Sequence, residues 1–292
     1  MAFTTLIDAA ALRELRAECV LLDCRFDLSR PAAGWQAYLA AHIPGARYAD
    51  LNRDLSAPVV AGSGRHPLPS PAAATEFFGS LGIGAGTQVI AYDEANGSFA
   101  ARAWWLLNWL GFSRVAVLDG GFQAWVADHG ALEAGAPGAG GSAAGAQPFT
   151  ARPRPELVMT AAEVLRALAD PGRLLVDARA PERFAGGVEP LDSVAGHIPG
   201  AVNHPFTRNL DSRSRFLPAA ELRRLWLERL GGTAPHNMIA MCGSGVTACH
   251  NLLAMSAAGL PGAKLYAGSW SEWIRDPDRP VARGDAAAGR PA

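Results

Sequence analysis

The sequence predicts an α/β chain built twice over, each copy a parallel sheet with helices on both faces. Three observations carry that reading. Short apolar runs alternate with helical patterns in both halves: residues 89–92, 99–110 and Val115–Leu118 in the first, then Leu174–Asp177, Ala219–Leu230, 239–241, 247–258 and 264–266 in the second. Near-continuous apolar runs suit strands covered on both faces, and their alternation with helices implies parallel pairing. The second observation is a repeat: the same segments recur in the same order about 150 residues apart. The third is a Gly/Ala/Pro/Ser-rich stretch between the copies, with the composition of a flexible linker.

In chain order, Val20-Leu-Leu-Asp23-Cys24-Arg25 is followed by His42-Ile-Pro-Gly-Ala46. Later, Leu174-Leu-Val-Asp177-Ala178-Arg179 is followed by His197-Ile-Pro-Gly-Ala201. Likewise Gly120-Gly-Phe-Gln-Ala-Trp125 matches Gly268-Ser-Trp-Ser-Glu-Trp273. The predicted division is 1–133 for the first domain, 134–155 for the linker, 156–284 for the second domain and 285–292 for a C-terminal tail. A coil of ~20 such linker residues spans roughly 25 Å. Trp104, Trp105, Trp109, Trp125, Trp270 and Trp273 fall at amphipathic spacings and are expected to pack in cores and between the domains.

Composition excludes several classes. Hydrophobic residues make up 49% and charged residues 18% of 292, which suits a globular protein with real cores. A formal net charge of -1 argues against nucleic acid as a partner. No apolar run reaches the ~18 residues of a membrane span, and the N-terminus lacks a leader pattern, so a cytoplasmic protein is expected. Cys19, Cys24, Cys242 and Cys249 form no C-x-x-C pair and no metal-ligand spacing, so neither a disulfide framework nor zinc is expected. Cys24 reads as core, and Cys249 as packing against a sheet.

The chemistry is expected at Cys242. The apolar run from Met238 to Met241 ends at this thiol; Gly243 and Gly245 follow, and a helical pattern starts at Thr247. A strand, a tight glycine loop and a helix N-terminus form an anion-binding concavity. Lowering a thiol pKa by about 2 units takes roughly 2.7 kcal/mol. A helix N-terminus supplies about 0.3–2 kcal/mol and each amide bonded to a charged acceptor about 1.5–3, so two or three donors suffice. At the matching place the first copy reads Tyr92-Asp93-Glu94-Ala-Asn-Gly97. A carboxylate there cannot carry sulfur and would repel anionic substrates, so the first copy is expected to be catalytically silent.

The duplicated His-Ile-Pro-Gly-Ala segments, the Gly-x-x-x-Trp ends and the loop Cys242-Gly-Ser-Gly-Val-Thr-Ala248 together resemble the two-domain rhodanese family of sulfurtransferases over essentially the whole chain. The resemblance implies two tandem rhodanese-like domains and a persulfide mechanism. Cys242 would take sulfur from a small anionic donor, hold it among loop amides, and pass it to a thiol, cyanide or thioredoxin-like acceptor in ping-pong fashion. No cofactor is implied. Thiosulfate-preferring members carry basic residues just after the cysteine. Here Gly243 and Ser244 are neutral, and the pattern is similar to the 3-mercaptopyruvate group. A thiosulfate:cyanide sulfurtransferase and a persulfide relay to a protein partner are the alternatives.

The expected substrate-binding set is Arg183, Gly243, Ser244, Gly245, Val246, Thr247, Arg179 and His66. Arg179 and Arg183, four apart, would share a helical face. By resemblance Arg183 is the substrate arginine, whereas Arg179 is similar to a buried ion-pair partner. His66 resembles a first-domain histidine that reaches the active site, with Asn52 or Asp50 at the place of its acidic companion. The mercaptopyruvate group also carries an arginine after a Glu-Pro pair, where this chain has Glu189-Pro190-Leu191. His42 and His197 read as structural. A cysteine phosphatase would need an arginine six residues after the thiol to clamp phosphate, and Ala248 is there.

Overall fold

A computed structural model describes residues 2–15, 18–136 and 150–284. Most of the expected linker (137–149) and the expected tail (285–292) lie outside the described residues. Two compact units emerge. One takes Met1–Ala57, Leu68–Arg154 and Asp211–Phe216; the other takes Pro58–Pro67, Pro155–Leu210 and Leu217–Ala292. The division is therefore not a single cut in the chain: residues 58–67 belong with the C-terminal half and 211–216 with the N-terminal half.

The first unit holds β1 (Leu6–Ile7), α1 (Ala9–Leu15), β2 (Cys19–Asp23), α2 (Ala33–Ala40), β3 (Arg47–Tyr48), α3 (Pro71–Ser80), β4 (Gln88–Tyr92), α4 (Ala100–Trp109), β5 (Val115–Leu118) and α5 (Gly121–Ala127). Its five strands are all parallel, in the order β1-β5-β4-β2-β3. Strands β4 and β5 are buried throughout. One core layer gathers Leu12, Leu21, Tyr38, Ile43, Ile90, Tyr92 and Trp125. Helix α3 begins as its sequence dictates, with the Ser70 hydroxyl accepting from the Ala73 amide and a proline in the first turn.

The second unit holds α6 (Ala161–Ala167), β6 (Leu174–Asp177), α7 (Pro181–Phe184), β7 (Val202–Asn203), α8 (Ala219–Leu230), β8 (Met238–Met241), α9 (Thr247–Ala257), β9 (Lys264–Leu265) and α10 (Ser269–Trp273). Its sheet is parallel in the order β7-β6-β8-β9. The place taken by β1 in the first unit is here a single bridge between Val158 and Leu265. A capping box, Thr160 with Glu163, starts α6, and Gly231 in the left-handed region ends α8. The core collects Val164, Leu175, Phe184, Ile198, Ile239, Met241, Tyr266, Trp270 and Trp273.

The repeat extends to side-chain contacts. Asp23 and Asp177 end β2 and β6, and each is gripped by the arginine two residues on. His42 stacks on Tyr38 and His197 on Phe184, with ring centroids 4.0 and 3.9 Å apart. Each histidine bonds through Nδ1 to the backbone oxygen of the ring it covers. Both are buried, as expected of structural histidines. All six tryptophans named above are buried, as are Cys24 and Cys249.

Candidate active site

In a parallel sheet, ligands bind beyond the C-terminal strand ends. Cys242 is the first residue past β8, and α9 begins at Thr247. The intervening loop is held by α10: the Trp270 amide donates to the Cys242 carbonyl at 3.0 Å and the Ser271 amide to the Gly243 carbonyl at 2.9 Å. In a trans peptide the C=O and the next N–H point in opposite directions. The amides of Gly243 and Ser244 are therefore turned away from α10. The Cys242 amide donates to the Ser269 hydroxyl at 3.1 Å, and that hydroxyl donates to the Tyr266 carbonyl at 2.9 Å.

The Gly245 amide donates to Sγ of Cys242 at 3.1 Å. Position 245 needs glycine twice over: its φ is +76°, and a Cβ there would lie 2.3 Å from the Ala267 carbonyl oxygen. Ser244 and Val246 are buried and Thr247 is half-buried, so the loop is a packed wall. The sequence predicts two or three amides on the sulfur; among the described residues, Gly245 supplies the one that reaches the resting thiol.

The first unit shows what the same kind of loop does with a longer acidic side chain. Asp93, buried at the end of β4, accepts from the amides of Gly97 at 2.9 Å, Phe99 at 2.8 Å and Ala100 at 3.1 Å. Its oxygens lie one bond beyond the atom that corresponds to Sγ, as the outer sulfur of a persulfide does. The amide cup of the first unit is thus filled by the protein's own carboxyl group.

Three arginines and three acids form a continuous network in the second unit. Arg179 is clamped by Asp177 (Nη2 to Oδ2, 2.7 Å), bonds the Gly196 carbonyl at 2.7 Å and reaches Glu189 at 3.3 Å. Its guanidinium lies 4.9 Å from the Trp270 ring centroid, and the side chain is 1% exposed. Arg179 was expected in the substrate-binding set; with its donors engaged by buried partners, it holds the strand end and the 189 loop instead. Arg183 differs: it is 17% exposed, paired with Glu189 at 2.7 Å and Asp192 at 3.2 Å. Arg65 completes the chain through Asp192. Burial pushes the Glu189 carboxyl up, but Arg183 and the Leu191 amide pull it below its ordinary value. Burial wins at Asp192, which is raised despite Arg65 and Arg183. The Leu191 side chain is 48% exposed, and the residue joins the network only through its amide, which donates to Glu189 Oε1 at 3.1 Å.

His66 is buried, and its Nδ1 lies 2.7 Å from the Ser244 hydroxyl oxygen. Residues 58–67 fold with the second unit, which brings His66 to the loop. Asn52 and Asp50 instead join in a surface turn, the Asn52 amide donating to Asp50 Oδ1 at 2.8 Å. Sequence reasoning missed Arg65, Asp192 and Ser269. Arg65, adjacent to His66, had a signal in that adjacency; the other two act through partners that only the folded chain supplies. Among the described residues, no cluster of three His, Cys, Asp or Glu is placed to hold a metal ion. No described helix is long and apolar enough to cross a membrane.

The profile of the Rhodanese-like domain matches residues 8–128 and 160–276. A Pseudomonas aeruginosa protein named "Probable 3-mercaptopyruvate sulfurtransferase" is 50% identical over 277 residues, covering 94% of this chain and 96% of its own. The thiosulfate sulfurtransferase of the same species is 35% identical, over 84% of this chain and 86% of its own. Among solved structures, the 3-mercaptopyruvate sulfurtransferase SseA from Escherichia coli matches with a TM-score of 0.75 and 34% identity, covering 92% of this chain and all of that one. The 3-mercaptopyruvate sulfurtransferase from Leishmania major matches with a TM-score of 0.82 and 32% identity, over 92% of this chain and 74% of that one.

Proposed function

Since the chain belongs to the rhodanese family, with two rhodanese-like domains, we propose that it is a sulfurtransferase that moves sulfur from 3-mercaptopyruvate, through a persulfide on Cys242, to a thiol, cyanide or protein acceptor. The observation that carries the reading is Sγ of Cys242 under the Gly245 amide, in a loop overlooked by Arg183 and by the Ser244–His66 pair.

In the first half-reaction the Cys242 thiolate attacks the donor's sulfur. The carbon–sulfur bond breaks, its electron pair passes to the donor carbon as the enolate of pyruvate, and protonation gives pyruvate. Ser244, bonded to His66, is placed to bind the keto oxygen or relay that proton. The persulfide's outer sulfur carries the charge, and loop amides of Gly243, Ser244, Gly245, Val246 and Thr247 are the cup proposed for it. In the second half-reaction an acceptor nucleophile attacks the outer sulfur and releases the Cys242 thiolate. The half with Asp93 serves as the silent copy.

Thiosulfate is the second reading, favoured by Leu191 standing where a carboxylate-binding arginine is expected. Attack on its outer sulfur would expel sulfite instead. Comparing kcat/KM for the two donors tests the choice. Mercaptopyruvate is expected to lead by at least about tenfold, with parallel double-reciprocal lines against acceptor; a thiosulfate preference would overturn the donor assignment.

A further inference from the structure

Glycine at position 243 is explained by what lies over it. A Cβ there would come within 2.9 Å of Nη2 of Arg65 and 3.6 Å of both Nη1 and Nη2 of Arg183. Two guanidinium groups thus converge on one point above the residue that follows the nucleophile. Like charges so placed repel unless anions hold them. Asp192 bonds Nη1 of Arg65 and, at 3.2 Å, Nη2 of Arg183, while Glu189 takes Nε and Nη2 of Arg183. The Arg65 backbone is fixed as well, its amide donating to the Ser271 hydroxyl at 3.0 Å.

The acids hold the backs of both arginines. Among the described residues, neither Nη2 of Arg65 nor Nη1 of Arg183 has a hydrogen-bond partner, and these are the ends that face Gly243. Arg65 is 26% and Arg183 17% exposed, so small anions have access to both. We infer that Arg65 is a donor-binding residue: its Nη2 and Nη1 of Arg183 together take the carboxylate of a 2-oxo acid whose sulfur faces Cys242. Arg65 then does the work of the arginine missing at Leu191. It also fills the space that a basic side chain at position 243 would occupy, so a loop neutral in sequence has cations above it. Asp192 is a positioning residue that aims both guanidiniums. The inference rests on the proposed carboxylate donor.

The test is equilibrium binding of pyruvate to the full-length protein by isothermal titration, which needs no sulfur transfer. Arg65→Gln is expected to weaken pyruvate binding by tenfold or more, and Arg65→Lys to recover part of it as a point charge without the fork. Hydroxyacetone, the same ketone without the carboxylate, should bind wild type and Arg65→Gln equally. Melting temperature controls for folding; should Arg65→Gln not fold, Arg65→Lys carries the test with a threefold or greater loss. Unchanged pyruvate affinity in a folded variant, or equal losses for pyruvate and hydroxyacetone, would overturn the assignment. Failure of the sulfurtransferase reading looks different: Cys242 of the wild type would take no sulfur from mercaptopyruvate, whatever the titrations show.

Discussion

Nδ1 of His66 lies 2.7 Å from the hydroxyl oxygen of Ser244, 178 positions away in the chain. The loop serine thus has a partner able to take or return its proton, and the two should act as one unit. His66→Ala and Ser244→Ala are each expected to lower kcat with mercaptopyruvate by about 10²-fold. The double variant should be no worse than the poorer single one. Steady-state kinetics on the full cycle checks this; multiplying losses would mean that the residues work separately.

Ser269 supports Cys242 through the main chain. It sits at φ 54°, unusual for a residue with a side chain, and its hydroxyl accepts from the Cys242 amide. Ser269→Ala leaves that buried amide without its acceptor and is expected to cost about 1–3 kcal/mol in chemical denaturation. Ser269→Gly loses the same bond but suits the positive φ, so it should be milder by roughly 1 kcal/mol.

Asp93 fills the amide cup of the first unit, and its bonds to three amides hold that loop together. Asp93→Ala strips acceptors from the amides of Gly97, Phe99 and Ala100. Destabilisation of roughly 3 kcal/mol is expected by urea titration. Sulfur loading of Cys242 should persist wherever the variant remains folded.

A pH dependence follows from His204. Burial pushes this imidazole down to about 4, against the hydrogen bond its Nε2 donates to Asn209 Oδ1, which raises it, while Arg229 and Arg208 lower it further. Among the described residues its buried Nδ1 has no hydrogen-bond partner, so a proton there would have nothing to bond. Between about 4 and the ordinary histidine value of 6.5 the unfolded chain binds the proton more readily. This contribution to stability is complete above 6.5 and is lost as pH falls toward 4, reaching roughly 3 kcal/mol. In His204→Gln the loss between pH 7 and 4.5 should shrink by about 2 kcal/mol, measured by urea unfolding at both values.

The sequence displays the β8–loop–α9 unit openly, because an apolar run, a thiol, two glycines and a helical pattern are local signals. The duplication is as plain, and Asp177–Arg179 is the counterpart of Asp23–Arg25 in contacts as well as letters. Arg65 was hidden because its importance depends on residues 58–67 folding with the C-terminal unit, which no periodicity reveals. Asp192 stayed unseen behind the absent arginine at 191, and Ser269 behind a role exercised on a backbone amide. Arg179 and Arg183 share a sequence spacing but not a fate: one is sealed beneath Trp270, the other faces Gly243.

The central claim is that one atom of the chain, Sγ of Cys242, carries the transferred sulfur. Intact-protein and peptide mass spectrometry after brief exposure to 3-mercaptopyruvate without acceptor tests it directly. The account predicts one added sulfur atom, on the peptide containing Cys242, removed by cyanide and abolished in Cys242→Ser. A sulfur gain that survives Cys242→Ser, or that maps to Cys19, Cys24 or Cys249, would contradict it.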